Sequence, residues 1–181
     1  MLTGNITLYG DVAEKAKYLK ENTDLFERIL DVYMAGGVIG MLFNSKGEEI
    51  SDQNTVKIFA EQLNYESTRI KYLSSLAFLI ENTQTQYDEK ELLKKTFGDW
   101  FDSATIEESH DSQPTKENKY NLFKMYAIEG IRILYDAIIK DSNDKHDYIA
   151  NYYKFVKELD KLQVNDNVDR SIIGALVGGF N

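Results

Sequence analysis

The two histidines set the first limit on the chemistry of this chain. His110 follows Glu107 by three residues, which is the Glu-x-x-His spacing of helical di-iron sites. Such a site needs two of these motifs on helices and further glutamates. This chain has the motif once, inside a polar segment. His146 lies in a Lys-His-Asp turn, where we expect an exposed side chain. We therefore predict no metal site, and we predict no cofactor.

The residue types also give little support to nucleophilic catalysis. The chain has no cysteine, which excludes thiolate nucleophiles, disulfides, iron–sulfur clusters and cysteine-ligated zinc. A serine nucleophile would need a base and an oxyanion hole, and the sequence has no Gly-x-Ser-x-Gly motif. The glycine patterns that bind phosphate groups, GxxxxGK[ST] and GxGxxG, do not occur either. No catalytic residue is predicted.

Carboxylates remain as candidates for acid–base work. Glu66 falls at an apolar position of a helix predicted for residues 51–82, so it either reaches solvent or an Arg or Lys, or is a buried carboxylate with a raised pKa. Glu61, Glu81 and Glu129 also lie on predicted helices. With 30 acidic residues in the chain, such carboxylates meet by chance.

The charge balance bears on the kind of partner. The formal net charge is −9 and the sequence pI is about 4.8. Direct binding to nucleic acid depends on clustered Lys and Arg, so we do not expect it, although Lys154, Lys157 and Lys161 could form a local basic strip. We expect these lysines to pair with acidic neighbours one helical turn away. An acidic surface is compatible with a basic protein partner.

The elements that position these residues are predicted to be helices. One proline in 181 residues and helix-period apolar patterns predict an all-α fold, a single-domain bundle of about six helices over residues 1–181. Residues 103–118 are predicted to be an exposed polar loop, and residues 5–9 can form an extended arm. The N-terminus has no signal-peptide pattern, which favours a cytoplasmic protein. The helices are predicted at about 12–21, 23–43, 51–82, 87–100, 119–140 and 147–162.

A buried, glycine-containing central helix is the main structural prediction. Residues 32–43 carry no charge, and the run is about half of the roughly 20 residues that cross a bilayer, so we expect a core helix and no membrane contact. Each glycine inside a helix costs about 1 kcal/mol relative to alanine. We expect close packing against a second small-residue patch, and a kink is the alternative. The packing residues are Gly36, Gly37 and Gly40, with Ala127 and Gly130 opposite them.

The contact region for a partner is predicted at the C-terminal end. The chain holds 12 tyrosines, and aromatic residues on the rim of a bundle are typical of protein interfaces. The last predicted helix would turn Ile149, Tyr152, Tyr153, Val156 and Leu159 inward, and the tail RSIIGALVGGFN is apolar. The predicted interface residues are Tyr148, Tyr152, Tyr153, Ile172, Ile173, Leu176, Val177 and Phe180.

These patterns favour a non-enzymatic helical interaction or adaptor subunit of a larger bacterial intracellular assembly. The hypothesised setting is DNA handling or anti-phage defence, with a protein partner or self-association into a homo-oligomer. Two alternatives stay open. One is an acidic inhibitor that mimics nucleic acid, and the other is a ligand-binding or hydrolytic bundle that uses carboxylates such as Glu66.

Overall fold

A computed structural model of the chain describes residues 4–50, 53–83, 88–101, 116–140, 142 and 144–159. This part of the chain is mostly helical with a small two-stranded sheet, which confirms the predicted all-α class. The elements in chain order are β1 (Ile6–Tyr9), α1 (Gly10–Asn22), α2 (Ile29–Leu42), β2 (Thr55–Ile58), α3 (Ala60–Tyr65), α4 (Ser67–Asn82), α5 (Glu89–Phe101), α6 (Lys116–Ile139) and α7 (Lys145–Leu159).

The central helix α2 begins at Ile29, six residues later than predicted. Thr23 does not cap it, because the Thr23 hydroxyl donates to the carbonyl of Leu19 at the end of α1. Asp24 then takes a left-handed conformation, with a φ of 56°, which interrupts the helix. The start of α2 is instead set by Asp31, whose carboxylate accepts from the backbone N–H of Arg28 at 3.0 Å.

The prediction of one long helix over residues 51–82 is wrong. Its first part is strand β2, which pairs antiparallel with β1 so that Leu8 faces Val56. Along β2 the exposure alternates, with Thr55 and Lys57 outward and Ile58 fully buried, as expected for a strand with one face on the core. The remainder is two helices, α3 and α4, which meet at Glu66.

The core is built around α2 and α6, which share the most extensive contact of any two described elements. The main cluster includes the fully buried Tyr33, Phe123 and Tyr126. Arg132 of α6 donates to both carboxylate oxygens of Asp11 at 3.0 Å, which holds α1 on α6 and lowers the pKa of Asp11 to about 2. A second cluster joins α4 to α5 and consists of Phe78, Leu79, Leu92 and Phe97.

Several predictions lie at or beyond the limits of the described residues. The predicted loop 103–118 ends earlier than expected, because α6 already begins at Lys116. Residues 103–115, with Glu107 and His110, lie outside the described part of the chain, as does the tail from residue 160 onward. Among the described helices, none combines the length and the apolar character needed to cross a bilayer.

Candidate functional site

The last described helix, α7, begins at a well-defined cap. The Asp144 carboxylate accepts from the backbone N–H of His146 at 2.8 Å and of Asp147 at 3.1 Å, which satisfies two free donors of the first turn. Asp147 adds an acidic side chain near the positive end of the helix dipole. His146 is exposed in this turn.

One face of α7 is fixed to the rest of the molecule. The Tyr148 hydroxyl lies 3.0 Å from that of Tyr18 on α1, and this hydrogen bond raises the pKa of Tyr148. Asn151 donates to the Ser142 hydroxyl at 2.8 Å, which ties α7 to the end of α6. Further along, Phe155 is 9% exposed and stacks on Phe43, with ring centroids 6.5 Å apart. The inner face is therefore set by partners from three other segments.

The outer face of α7 carries an apolar stripe. Ile149, Tyr153 and Val156 are 54%, 64% and 43% exposed. Their spacing of four and then three residues places them side by side on one helical face. We call these three residues the α7 stripe. Lys154 and Lys157 are exposed next to it, and the Lys157 ammonium lies 5.4 Å from the centre of the Tyr153 ring.

The orientation of α7 differs from the predicted one. Ile149, Tyr153 and Val156 were expected inside, and the structure turns all three outward. Of the predicted interface tyrosines, Tyr153 is exposed, while Tyr148 and Tyr152 are half-buried against the main core. The physical reason is that the apolar face of this helix is wide, and the core covers only the half with Tyr148, Tyr152 and Phe155. The predicted tail residues lie outside the described part of the chain: Ile172, Ile173, Leu176, Val177 and Phe180.

Glu66 lies where α3 meets α4, with 11% of its side chain exposed. One carboxylate oxygen lies 3.1 Å from the Arg28 guanidinium, and the other lies 3.5 Å from that of Arg69. Arg28 also binds Asp31 at 2.6 Å. Arg28 therefore links Asp31 at the start of α2 to Glu66 at the start of α4. Each oxygen of the Glu66 carboxylate is therefore paired with a guanidinium group, as expected for a charge that ties two helices together.

A second polar cluster was not predicted from the sequence. Lys46 donates to both oxygens of Glu81 at 2.6 and 2.8 Å, and the Tyr126 hydroxyl donates to Glu81 at 3.0 Å. The Lys46 bond lowers the pKa of Glu81, and burial raises the pKa of Tyr126. The carboxylate therefore stays ionised and the phenol stays protonated near neutral pH, which suits a structural tie better than proton transfer.

The small residues of α2 and α6 lie directly against one another. A side-chain carbon added at Gly130 would collide with the backbone carbonyl of Gly36, and one at Gly40 would collide with that of Tyr126. One added at Gly36 would lie 2.9 Å from the carbonyl oxygen of Ala127. Gly36, Gly40 and Gly130 are all buried, so this region is packing surface rather than the wall of a cleft. Gly37 is also buried and faces the ring of Phe123.

A metal site and a ligand pocket are two other kinds of functional site to consider. In the described ranges, no three His, Asp or Glu side chains are grouped to hold a metal ion. A surface depression of about 510 Å³ is lined by Asp88, Glu89, Lys90 and Leu93, and it does not include Glu66. Exposed apolar side chains also occur on α2, at Val38 and Leu42, but Ile149 and Tyr153 of the α7 stripe are more exposed and lie beside two lysines.

The chain was also compared with known proteins. No protein-family model matches the chain, and neither a curated protein nor a solved structure matches it.

Proposed function

We propose that this chain is a non-enzymatic interaction subunit that binds a protein partner through the α7 stripe. The partner would present apolar side chains to Ile149, Tyr153 and Val156, with acidic groups facing Lys154 and Lys157. Its surface must extend beyond the stripe, because stable interfaces between separate proteins bury about 800 Å² on each side. This role suits an adaptor within a larger intracellular assembly.

The observation that carries this proposal is the exposed stripe on a helix whose other face is already engaged. Three neighbouring apolar side chains gain free energy when a partner removes them from water. Tyr153 has the character of an interface anchor, because tyrosine offers a large rigid surface and a polar end. The ammonium of Lys157 over its ring holds a positive charge beside the anchor. The surface thus combines an apolar centre with charged edges.

The test compares Tyr153→Asp with Tyr65→Asp. Tyr65 is 86% exposed on α3, so it controls for placing a charge on an exposed tyrosine elsewhere. Proteins captured by the tagged chain from its host cells would be purified and titrated against each variant. We expect Tyr153→Asp to weaken binding by about tenfold or more, as for the loss of an interface anchor, and Tyr65→Asp to leave it within about twofold.

Self-association is measured on the same variants by sedimentation of the purified chain. If the partner is a second copy, the mass of the wild type and of Tyr65→Asp exceeds that of Tyr153→Asp at equal concentration. Both variants should retain the wild-type helix content and melting temperature, because both positions are exposed. Equal affinity and equal mass for the two variants would contradict the proposal.

A further inference from the structure

The α7 stripe alone is too small to bind a separate protein stably. Three partly exposed side chains offer an apolar surface on the order of a few hundred Å². That is less than the roughly 800 Å² on each side that stable complexes of separate proteins bury. A segment tethered to the same chain does not need so large an area, since a short linker gives it an effective concentration of about millimolar.

The chain carries a segment of matching chemistry a short distance after α7 in the sequence. Residues 171–180, SIIGALVGGF, contain no charged side chain and follow α7 along the chain. Residues 160–170, DKLQVNDNVDR, connect them to Leu159, and a linker of that length spans up to roughly 36 Å when extended. The rise of α7 from Ile149 to Leu159 is only about 15 Å. The segment can therefore reach every residue of the stripe.

We infer that residues 171–180 bind the α7 stripe of their own chain and compete with the protein partner for it. This inference rests on the proposed function, because it concerns the regulation of the same surface. Ile172, Ile173 and Leu176 supply apolar side chains, and the glycines of the segment permit close approach to the Tyr153 ring. A partner would displace the segment, so its apparent affinity would be lowered by the fraction of chains in which the stripe is covered.

The absence of cysteine allows a direct test, because one introduced thiol is then a unique probe. Val156→Cys places a small apolar thiol in the stripe, and its alkylation rate reports how much of the time the stripe is open. In the full chain, we expect the thiol to react at least about fivefold faster when Ile173→Asp and Leu176→Asp are also present. Ile149→Cys gives the same comparison at the other end of the stripe.

The matched control is Glu158→Cys, on the exposed side of α7 away from the stripe. Its alkylation rate should be the same with and without the two substitutions in the segment. Equal rates for Val156→Cys and for Ile149→Cys in both backgrounds would overturn the inference. Protection that disappears on dilution, together with a dimer that becomes a monomer, would also overturn it, because a second copy would then be the cover.

This experiment needs no partner, so it can fail independently of the proposed function. If the thiols are unprotected but partner binding is still weakened by Tyr153→Asp, the proposed function is supported and the internal contact is refuted. If the thiols are protected but the partner binds Tyr153→Asp with unchanged affinity, the internal contact is supported and the proposed function is refuted.

Discussion

At the scale of single residues, charge pairs determine how the ends of helices are held. Glu66 lies in a stretch of apolar periodicity, yet its carboxylate has partners in Arg28 and Arg69. Lys46 and Glu81 form a comparable tie after α2. The Arg28–Glu66 and Lys46–Glu81 pairs each join segments that are far apart in the chain, so each closes a loop between elements. We therefore expect both pairs to contribute to stability.

Glu66→Gln tests this role. The amide keeps the size of the side chain but removes the charge that both guanidinium groups contact, and we expect the free energy of unfolding to fall by about 1–2 kcal/mol. Urea denaturation at neutral pH measures the change. Glu61→Gln is the control, because Glu61 is exposed on α3, and its effect should stay within about 0.5 kcal/mol. A smaller loss at Glu66 than at Glu61 would refute the structural role.

At the scale of elements, the contact between α2 and α6 depends on missing side chains. Gly40 lies against the carbonyl of Tyr126, and Gly130 lies against that of Gly36. The axes of packed helices normally stay about 8–10 Å apart because side chains separate the backbones. Here glycine removes that separation at the crossing point. The cost in helix propensity, about 1 kcal/mol for each glycine, is offset by the close packing that results.

Alanine substitutions test this contact. Gly40→Ala and Gly130→Ala each force two backbones apart, so we expect each to lower the free energy of unfolding by about 2–3 kcal/mol or more, despite the higher helix propensity of alanine. Gly98→Ala on α5 is the matched control. Among the described residues, its added carbon would meet the Lys94 side chain at 3.7 Å, an ordinary contact, so it should be neutral or stabilising by up to about 1 kcal/mol. Similar losses at all three positions would refute close packing as the cause.

At the scale of the whole molecule, the apolar core has two parts of unequal size. The main cluster joins β1, β2, α1, α2, α3, α4, α6 and α7, whereas the second cluster joins α4 to α5 and contains few residues. α5 therefore depends on a smaller buried surface than α2 or α6. Parts of a protein with few buried apolar contacts open at lower free energy than its core.

Native-state hydrogen exchange should show this difference. We expect the backbone amide of Leu92 on α5 to have a protection factor at least about tenfold lower than those of Val32 on α2 and Leu134 on α6. All three side chains are buried, so the comparison isolates the size of the cluster from exposure of the residue. Equal protection at the three amides would mean that α5 opens only when the entire molecule unfolds.

Much of the helical architecture is visible in local sequence. The uncharged run of α2 predicts burial on all sides, and that prediction is wrong for one side of the helix. The structure buries its three glycines but leaves Val38 and Leu42 38% and 50% exposed. The small residues of α2 and α6 are visible as a spacing of four and of three, and the structure brings them into contact. Such features depend on residues within a few positions of one another, because helix periodicity is a local property.

Other features were decided by partners distant in the chain. β2 has apolar residues that fit a helical spacing with α3 and α4, but pairing with β1, which lies before α1, makes it a strand. The part of α7 that stays exposed depends on Tyr18 and Phe43, since its apolar face is wider than the surface that packs on it. By itself, therefore, the sequence determined where most helices form and which small residues pack α2 against α6. Only tertiary contacts decided the sheet, the charge pairs and the exposed stripe, because each requires residues that the local pattern cannot bring together.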